Sequence, residues 1–190
     1  MNIFQLKITL KHIRPLIWRR IQVPADIKLG RLHDFLQAAM GWEDCHLHQF
    51  ITGDIRYGIP DPEFPDDTRN ETHVRLNNIV NSGDTLTYEY DFGDSWQHEI
   101  KIEKILTPEQ NQRYPVCLAG KRACPPEDCG GFPGYQRLLR ILRNPKHKEY
   151  EDMLDWIGGD FDPEAFDLDA INAALKPRSR GPRKPKAVTG

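Results

Sequence analysis

The feature that most constrains the fold is a change of hydrophobic period within the first 41 residues. Apolar and polar residues alternate strictly over 4–10, and again over much of 17–23, which is the period of a half-buried strand. Over 29–40 the apolar residues recur at helical spacing, and Gly41 follows where a helix commonly ends. The chain therefore opens with two strands and a helix.

The rest of the chain adds strands first and helices afterwards. Segments 47–51 and 55–57 predict strands, and the alternation on both sides of the turn at 91–94 predicts a hairpin. Apolar residues at helical spacing in stretches beginning near residues 135, 150 and 168 predict helices. This order predicts an α+β fold with a β-grasp-like mixed sheet (strand–strand–helix–strands) packed on one helix. A C-terminal helical extension is expected to cover the sheet, so that residues 1–175 form a single domain.

Two residues of the second strand predict where that extension lies. Parity places Arg19 on the face of the apolar residues and Trp18 on the opposite face. A tryptophan on an outer face needs cover, and a buried arginine needs a partner. We therefore expect the C-terminal half to bury Trp18 under Tyr135, Leu139 or Trp156. Arg19 is expected to reach an acidic partner at the sheet margin.

Charge is unevenly distributed along the chain. Segment 176–190 holds six bases and no acid, which leaves 20 basic against 28 acidic residues in 1–175. Such a segment cannot bury a core, so we expect a disordered tail. The tail could bind the phosphates of nucleic acid or only keep the protein in solution, whereas the acidic body is a poor phosphate binder. The tail bases are Lys176, Arg178, Arg180, Arg183, Lys184 and Lys186.

The location of the protein is also constrained by the sequence. No apolar run reaches the length of 18 residues that a membrane span requires. The first eight residues alternate in polarity, unlike the continuous apolar stretch of a signal peptide. We therefore expect a cytoplasmic protein with no membrane partner.

Five segments carry a resemblance to a known family. They are 15–20 (PLIWRR), 46–50 (HLHQF), 90–98 (YDFGDSWQH), 124–131 (CPPEDCGG) and 158–163 (GGDFDP). Together they resemble the plasmid pRiA4b ORF-3-like family over about residues 3–175. The resemblance implies an association with plasmids and mobile elements and implies no particular activity.

The main candidate site combines histidines with aspartates. Two-residue spacing puts His46 and His48 on one face of a strand, while His98 lies on the hairpin beside Asp91 and Asp94. Neutral imidazoles near carboxylates suit a zinc ion or an acid–base pair. The alternative is that these histidines are half-buried and hydrogen-bonded to the backbone or to Asp91, and serve only the hairpin.

Three cysteines form a weaker candidate metal site. Cys117, Cys124 and Cys129 are separated by six and four residues, unlike the tight pairs of most zinc sites. A fourth ligand would have to be Cys45 or a histidine. The alternative is that these are buried thiols in a loop rich in proline and glycine.

Enzyme signatures for phosphate loops, dinucleotide binding, serine hydrolases and zinc proteases are missing from the sequence. The sequence therefore favours a non-catalytic accessory or binding module whose partner is a protein or nucleic acid. The alternative is a metal-dependent hydrolase-like protein built on the histidine and aspartate cluster.

Overall fold

One sheet of eight strands organises the part of the chain that the structure describes, a computed structural model of residues 2–176. The strands are β1 (Ile3–Leu10), β2 (Trp18–Pro24), β3 (His48–Thr52), β4 (Ile55–Gly58), β5 (Arg69–Asn70), β6 (Thr85–Tyr90), β7 (Trp96–Leu106) and β8 (Val116–Lys121). Their order across the sheet is β5-β4-β3-β6-β7-β1-β2-β8. Every neighbouring pair is antiparallel except β4 and β5.

Residues 2–176 also form four α-helices. They are α1 (Leu29–Met40), α2 (Gly131–Leu142), α3 (Tyr150–Ile157) and α4 (Leu168–Ala174), with 3-10 turns at Glu71–His73 and Leu76–Asn78. The predicted α+β class, the opening strand–strand–helix order and the hairpin of β6 and β7 are confirmed. The β-grasp-like description is not confirmed, because β1 pairs antiparallel with both of its neighbours. No helix among residues 2–176 is long and apolar enough to cross a membrane.

The hydrophobic core lies between α1 and one face of the sheet, which we call the inner face. The amphipathic α1 buries Leu29, Leu32 and Leu36 completely and ends at Gly41, whose φ of 90° is left-handed. Each fully buried leucine stabilises the fold by about 1.5–3 kcal/mol relative to an exposed one. The inner face comprises Phe4, Leu6, Ile8, Leu10, Ile21, Val23, Phe50, Leu86, Tyr88, Tyr90, His98, Ile100 and Ile102.

The opposite, outer face of the sheet is polar, and the expectation for Trp18 is wrong. Trp18 is half-buried on this face, with Lys7 Nζ 5.5 Å and the Arg20 guanidinium 5.3 Å from the centre of its ring. Arg20 forms two hydrogen bonds with Glu103, of 2.7 and 2.9 Å. Long cationic side chains can cover an aromatic ring and still keep their charge in water. Trp18 therefore needs no helix above it, and Trp156 has 46% of its surface exposed.

Arg19 also differs from expectation, because its hydrogen-bond partners are three main-chain carbonyls and the Cys124 sulfur. Its guanidinium donates to the carbonyl of Ala39 at 2.9 Å, near the C-terminal end of α1, and to those of Trp18 and Lys121. The last carbonyls of a helix carry partial negative charge and lack helical partners. Residues 2–176 contain no ion pair to Arg19, which is 3% exposed, so the helix end replaces the predicted carboxylate.

The last helix, α4, lies beside α1 at the β8 end of the sheet. α4 packs against β8 and α1, and Leu175 is 1% exposed in the common core. The Asn172 side chain accepts from the Cys117 N–H at 2.8 Å and donates to the Cys117 carbonyl at 3.0 Å. Helix α4 thus covers the β8 end of the sheet on its inner side. The tail predicted at 176–190 lies outside the described residues apart from Lys176.

Candidate functional site

Three loops meet at the end of the sheet where β3 begins and β6 ends. We call residues 41–47, 91–95 and 122–130 the site loops. The Asp91 N–H donates to the Leu47 carbonyl at 2.9 Å, which joins the first two loops. The Trp42 indole donates to the Pro125 carbonyl at 2.9 Å, which joins the first to the third. The hydrogen bonds therefore hold together segments that are far apart in sequence.

His46, Asp91 and Asp128 come together where these loops meet. Nε2 of His46 lies 3.0 Å from Oδ1 of Asp128 and 3.8 Å from Oδ2 of Asp91. One ligand atom from each of the three residues lies within 4.8 Å of the other two. An imidazole nitrogen and carboxylate oxygens are donors that zinc takes in proteins. The Asp128 side chain is 69% exposed, so a cation held here would face solvent.

The backbone of the turn after β6 orients the Asp91 carboxylate. Asp91 has a φ of 57°, a left-handed conformation that aspartate tolerates better than most residues. Its Oδ1 accepts from the Gly93 N–H at 3.0 Å, and its carbonyl accepts from the Ser95 N–H at 2.6 Å. Because Oδ1 is held by the turn, Oδ2 is the oxygen that faces His46.

Asp94 belongs to the same turn but holds a loop. Its Oδ2 accepts from the Gly130 N–H at 3.2 Å. The backbones approach so closely that a Cβ at Gly131, where φ is 63°, would lie 2.6 Å from the Asp94 carbonyl oxygen. Asp94 therefore fixes the third site loop and is not part of the group around His46.

His48 lies in a second, buried cluster. Its Nε2 is 3.1 Å from both carboxylate oxygens of Glu71, which is 2% exposed. Its ring stacks on that of His33, with the centroids 3.5 Å apart and the planes 5° from parallel. His33 in turn contacts Asp44 through Nε2 at 2.7 Å. The His48–Glu71 and His33–Asp44 pairs therefore stack through their imidazole rings. The contact with His48 offsets the cost of burying the Glu71 carboxylate.

His98 lies in a third place. The Tyr88 ring contacts both histidines, with its centroid 6.0 Å from that of His48 and 5.4 Å from that of His98. His98 is 0% exposed, and its Nδ1 contacts the Tyr88 carbonyl at 3.3 Å. Complete burial lowers the pKa of His98 to about 4, because water no longer stabilises the charged ring. Of the five residues predicted to cluster, the structure therefore brings together only His46 and Asp91.

The three predicted cysteine ligands have different surroundings. The Cys117 thiol contacts the Ala119 carbonyl at 3.6 Å, whereas the Cys124 thiol contacts Met40 Sδ at 3.7 Å. Burial raises the pKa of all three thiols, to about 11 for Cys124 and about 12 for Cys129. Metal binding requires the thiolate, which burial disfavours. Within residues 2–176 no candidate ligand group contains any of these three cysteines.

Cys45 lies next to His46 but in a different group. A ligand atom of Cys45 lies within 4.8 Å of carboxylate oxygens of Glu43 and Glu127. Burial, followed by the charges of Glu127 and Glu43, raises the pKa of the Cys45 thiol. A raised pKa opposes formation of the nucleophilic thiolate.

Comparison with known proteins agrees with the motifs in and around these loops. A family model described as plasmid pRiA4b ORF-3-like protein matches residues 2–170. The chain belongs to this family. It is 40% identical over 177 residues to the uncharacterized protein y4hQ of Sinorhizobium fredii (strain NBRC 101917 / NGR234). That alignment covers 92% of this chain and 91% of y4hQ.

A solved structure of similar fold gives a second comparison. The crystal structure of the protein of unknown function MM3350 from Methanosarcina mazei Go1 superposes with a TM-score of 0.80. The two sequences are 41% identical, and the match covers 88% of this chain and 96% of that one. The mixed α+β architecture is therefore shared with an experimental structure.

Sequence reasoning missed His33, Glu71 and Asp128. His33 and Gln37 could have been found, because both are polar residues on the otherwise apolar face of α1. Asp128 stands within the segment 124–131 that carries the family resemblance, but nothing in its spacing relates it to His46. Glu71 lies in a 3-10 turn that apolar periodicity does not reveal.

Proposed function

We propose that the chain is a binding or accessory module that takes up one divalent cation through His46, Asp91 and Asp128. The supporting observation is the approach of one imidazole and two carboxylates from three separate loops. Zinc suits this donor set best, since it accepts both histidine nitrogen and carboxylate oxygen. Three protein ligands leave at least one coordination position for a further ligand.

The charge of the site loops also favours a cation. They carry six carboxylates, and their only lysine or arginine is Arg122. Arg122 is 1% exposed and is engaged by Glu164 at 2.8 Å and the Pro15 carbonyl at 2.8 Å. A surface of this charge attracts divalent cations and repels free phosphate. The carboxylates are Glu43, Asp44, Asp91, Asp94, Glu127 and Asp128.

The cation site is tested by metal uptake. Protein freed of metal by chelation should bind one zinc ion, as measured by elemental analysis and by competition with a chromophoric chelator. His46→Ala should abolish this binding, because the only imidazole of the group is lost. His73→Ala is the matched control, since His73 is an exposed histidine of the turn at Glu71–His73. Uptake that is equal in both variants would exclude the site.

A metal-dependent hydrolase-like activity is the second candidate. It is favoured by the exposure of Asp128, because catalytic zinc sites keep a position open for water. Turnover of activated esters by the zinc-loaded protein, lost in His46→Ala, would support this candidate over a purely binding role.

A nucleic-acid partner would bind outside the site loops. The acidic site loops are unsuited to nucleic acid, so any such contact is assigned to the basic segment 176–190. Deletion of that segment should remove salt-sensitive binding to DNA if the assignment is correct. Equal binding by the shortened chain would exclude it. We also propose that residues 1–175 unfold as one unit, since a single core cluster runs from β1 to Leu175.

A further inference from the structure

One buried hydroxyl lies where the first and third site loops meet. Tyr90 ends β6 and is 0% exposed. Its oxygen accepts from the Cys45 N–H at 2.9 Å and from the His46 N–H at 3.3 Å. Its O–H donates to Oε1 of Glu127. A single side chain therefore bonds to the loop of His46 and to the neighbour of Asp128.

The bond to Glu127 also extends to the first loop. Oε2 of Glu127 accepts from the Glu43 N–H at 2.8 Å. Loops 41–47 and 122–130 are thus joined by a closed set of hydrogen bonds that passes through the Tyr90 oxygen. Asp91 follows Tyr90 directly in the chain. Tyr90 therefore adjoins His46 through a hydrogen bond, Asp91 through the chain, and Asp128 through its neighbour Glu127.

Packing holds the Tyr90 ring in one position. The ring stacks on Trp42 with centroids 5.1 Å apart, and its centroid is 5.8 Å from that of His46 in an edge-on contact. The two ring contacts therefore hold the hydroxyl where it donates to Glu127.

We propose that the Tyr90 hydroxyl is the positioning group of the cation site, setting the distance of His46 from Asp128 without binding the cation itself. This inference rests on the proposed cation site. Groups that orient metal ligands commonly change metal affinity by about 10–100-fold when they are removed. The loss of this hydroxyl should therefore weaken binding although every ligand is kept.

Strand β6 supplies a matched control. Tyr88 lies two residues earlier on the same face, is also 0% exposed, and bonds through its hydroxyl to His33 at 2.8 Å and Gln37 at 2.9 Å. These partners belong to α1 and reach the first site loop only at Asp44, whereas Tyr90 bonds to the His46 N–H directly. Tyr88→Phe and Tyr90→Phe each remove one buried hydroxyl and keep the ring.

The experiment measures zinc affinity and the visible spectrum of bound cobalt in the full-length protein and its variants. Tyr90→Phe should bind zinc about 10–100-fold more weakly and should alter the cobalt absorption, whereas Tyr88→Phe should change neither. The cobalt spectrum reports ligand geometry, which a general loss of stability would not alter in the bound state.

The outcomes separate this inference from the cation site. Unchanged affinity in Tyr90→Phe, with binding abolished in His46→Ala, would overturn the positioning role and keep the site. An equal loss in the two tyrosine variants would also overturn it, because the effect would not belong to the hydroxyl of Tyr90. If the wild-type protein takes up neither zinc nor cobalt, the site and the positioning role both fail.

Discussion

The two faces of the sheet treat charged side chains in opposite ways. On the inner face, the Glu71 carboxylate is 2% exposed and depends on His48, and His98 is buried with a pKa of about 4. On the outer face, Arg20 and Glu103 form a pair of good geometry with side chains 31% and 19% exposed. The carboxylates on the two faces of one sheet therefore meet very different surroundings.

The comparison shows that the length of a hydrogen bond does not by itself determine how much the bond stabilises the fold. The bond of 2.7 Å between Arg20 and Glu103 is shorter than the 3.1 Å between His48 and Glu71. Water still solvates the outer pair when it separates, whereas a group left alone on the inner face loses its only compensation. Burial, and not bond length, should therefore decide what each substitution costs.

The largest effect is expected when the buried pair is broken. Glu71→Ala should lower the free energy of unfolding by about 3–5 kcal/mol, because it removes the carboxylate partner of the buried His48 and leaves a cavity. Urea denaturation of this variant and of Glu103→Ala gives the comparison directly. If both variants lost equal stability, the contrast between the two faces would be wrong.

The second effect is a dependence of stability on pH. The pKa of His98 is about 4 in the folded protein against an ordinary value of 6.5, so the folded state binds fewer protons. The stability contribution is complete above pH 6.5 and is lost as the pH falls towards 4, by about 3 kcal/mol in total.

Denaturation of the wild type and of His98→Gln at several pH values between 7 and 4 should reveal this contribution as the difference between their slopes. Other titrating groups are common to both proteins and cancel. Parallel curves would contradict the role given to His98, as would an imidazole that titrates near pH 6.5 by NMR.

The smallest effect belongs to the outer pair. Its hydrogen bonds to Arg20 lower the pKa of Glu103 to about 2, so this contribution is present above pH 4.5 and is lost as the pH falls through 2. Solvent screening should limit it to about 0–1 kcal/mol in a double-mutant cycle with Arg20→Ala and Glu103→Ala. A coupling energy as large as the Glu71→Ala effect would show that the outer face is not solvated in the way proposed.

Much of the sheet could be predicted because strand parity depends only on local sequence. Alternation correctly placed Arg19 on the inner face and Trp18 on the outer one. The partners predicted for Trp18 and Arg19 were wrong because both residues contact nearby polar or charged groups, which the hydrophobic pattern of the sequence does not identify. Lys7 and Arg20 lie against the indole, and a helix end accepts from the guanidinium.

The candidate site was less accessible to sequence reasoning. His46 and Asp91 lie next to predicted strands, so the sheet register brings them together. Asp128 reaches them through a loop whose course depends on Asp94 and on the close approach at Gly131. Contacts between loops distant in the chain leave no periodic signal, which is why this third member required the structure.

The Asn172 amide has a consequence for how the molecules behave at high concentration. An outermost strand exposes donors and acceptors that can template the addition of strands from other copies. At Cys117 in β8 both of these groups are already occupied by an amide that imitates a neighbouring backbone. At the other margin β5 is only two residues long. Asn172 at one margin and the short β5 at the other therefore reduce the edge that is open to the strand addition that leads to amyloid-like fibres.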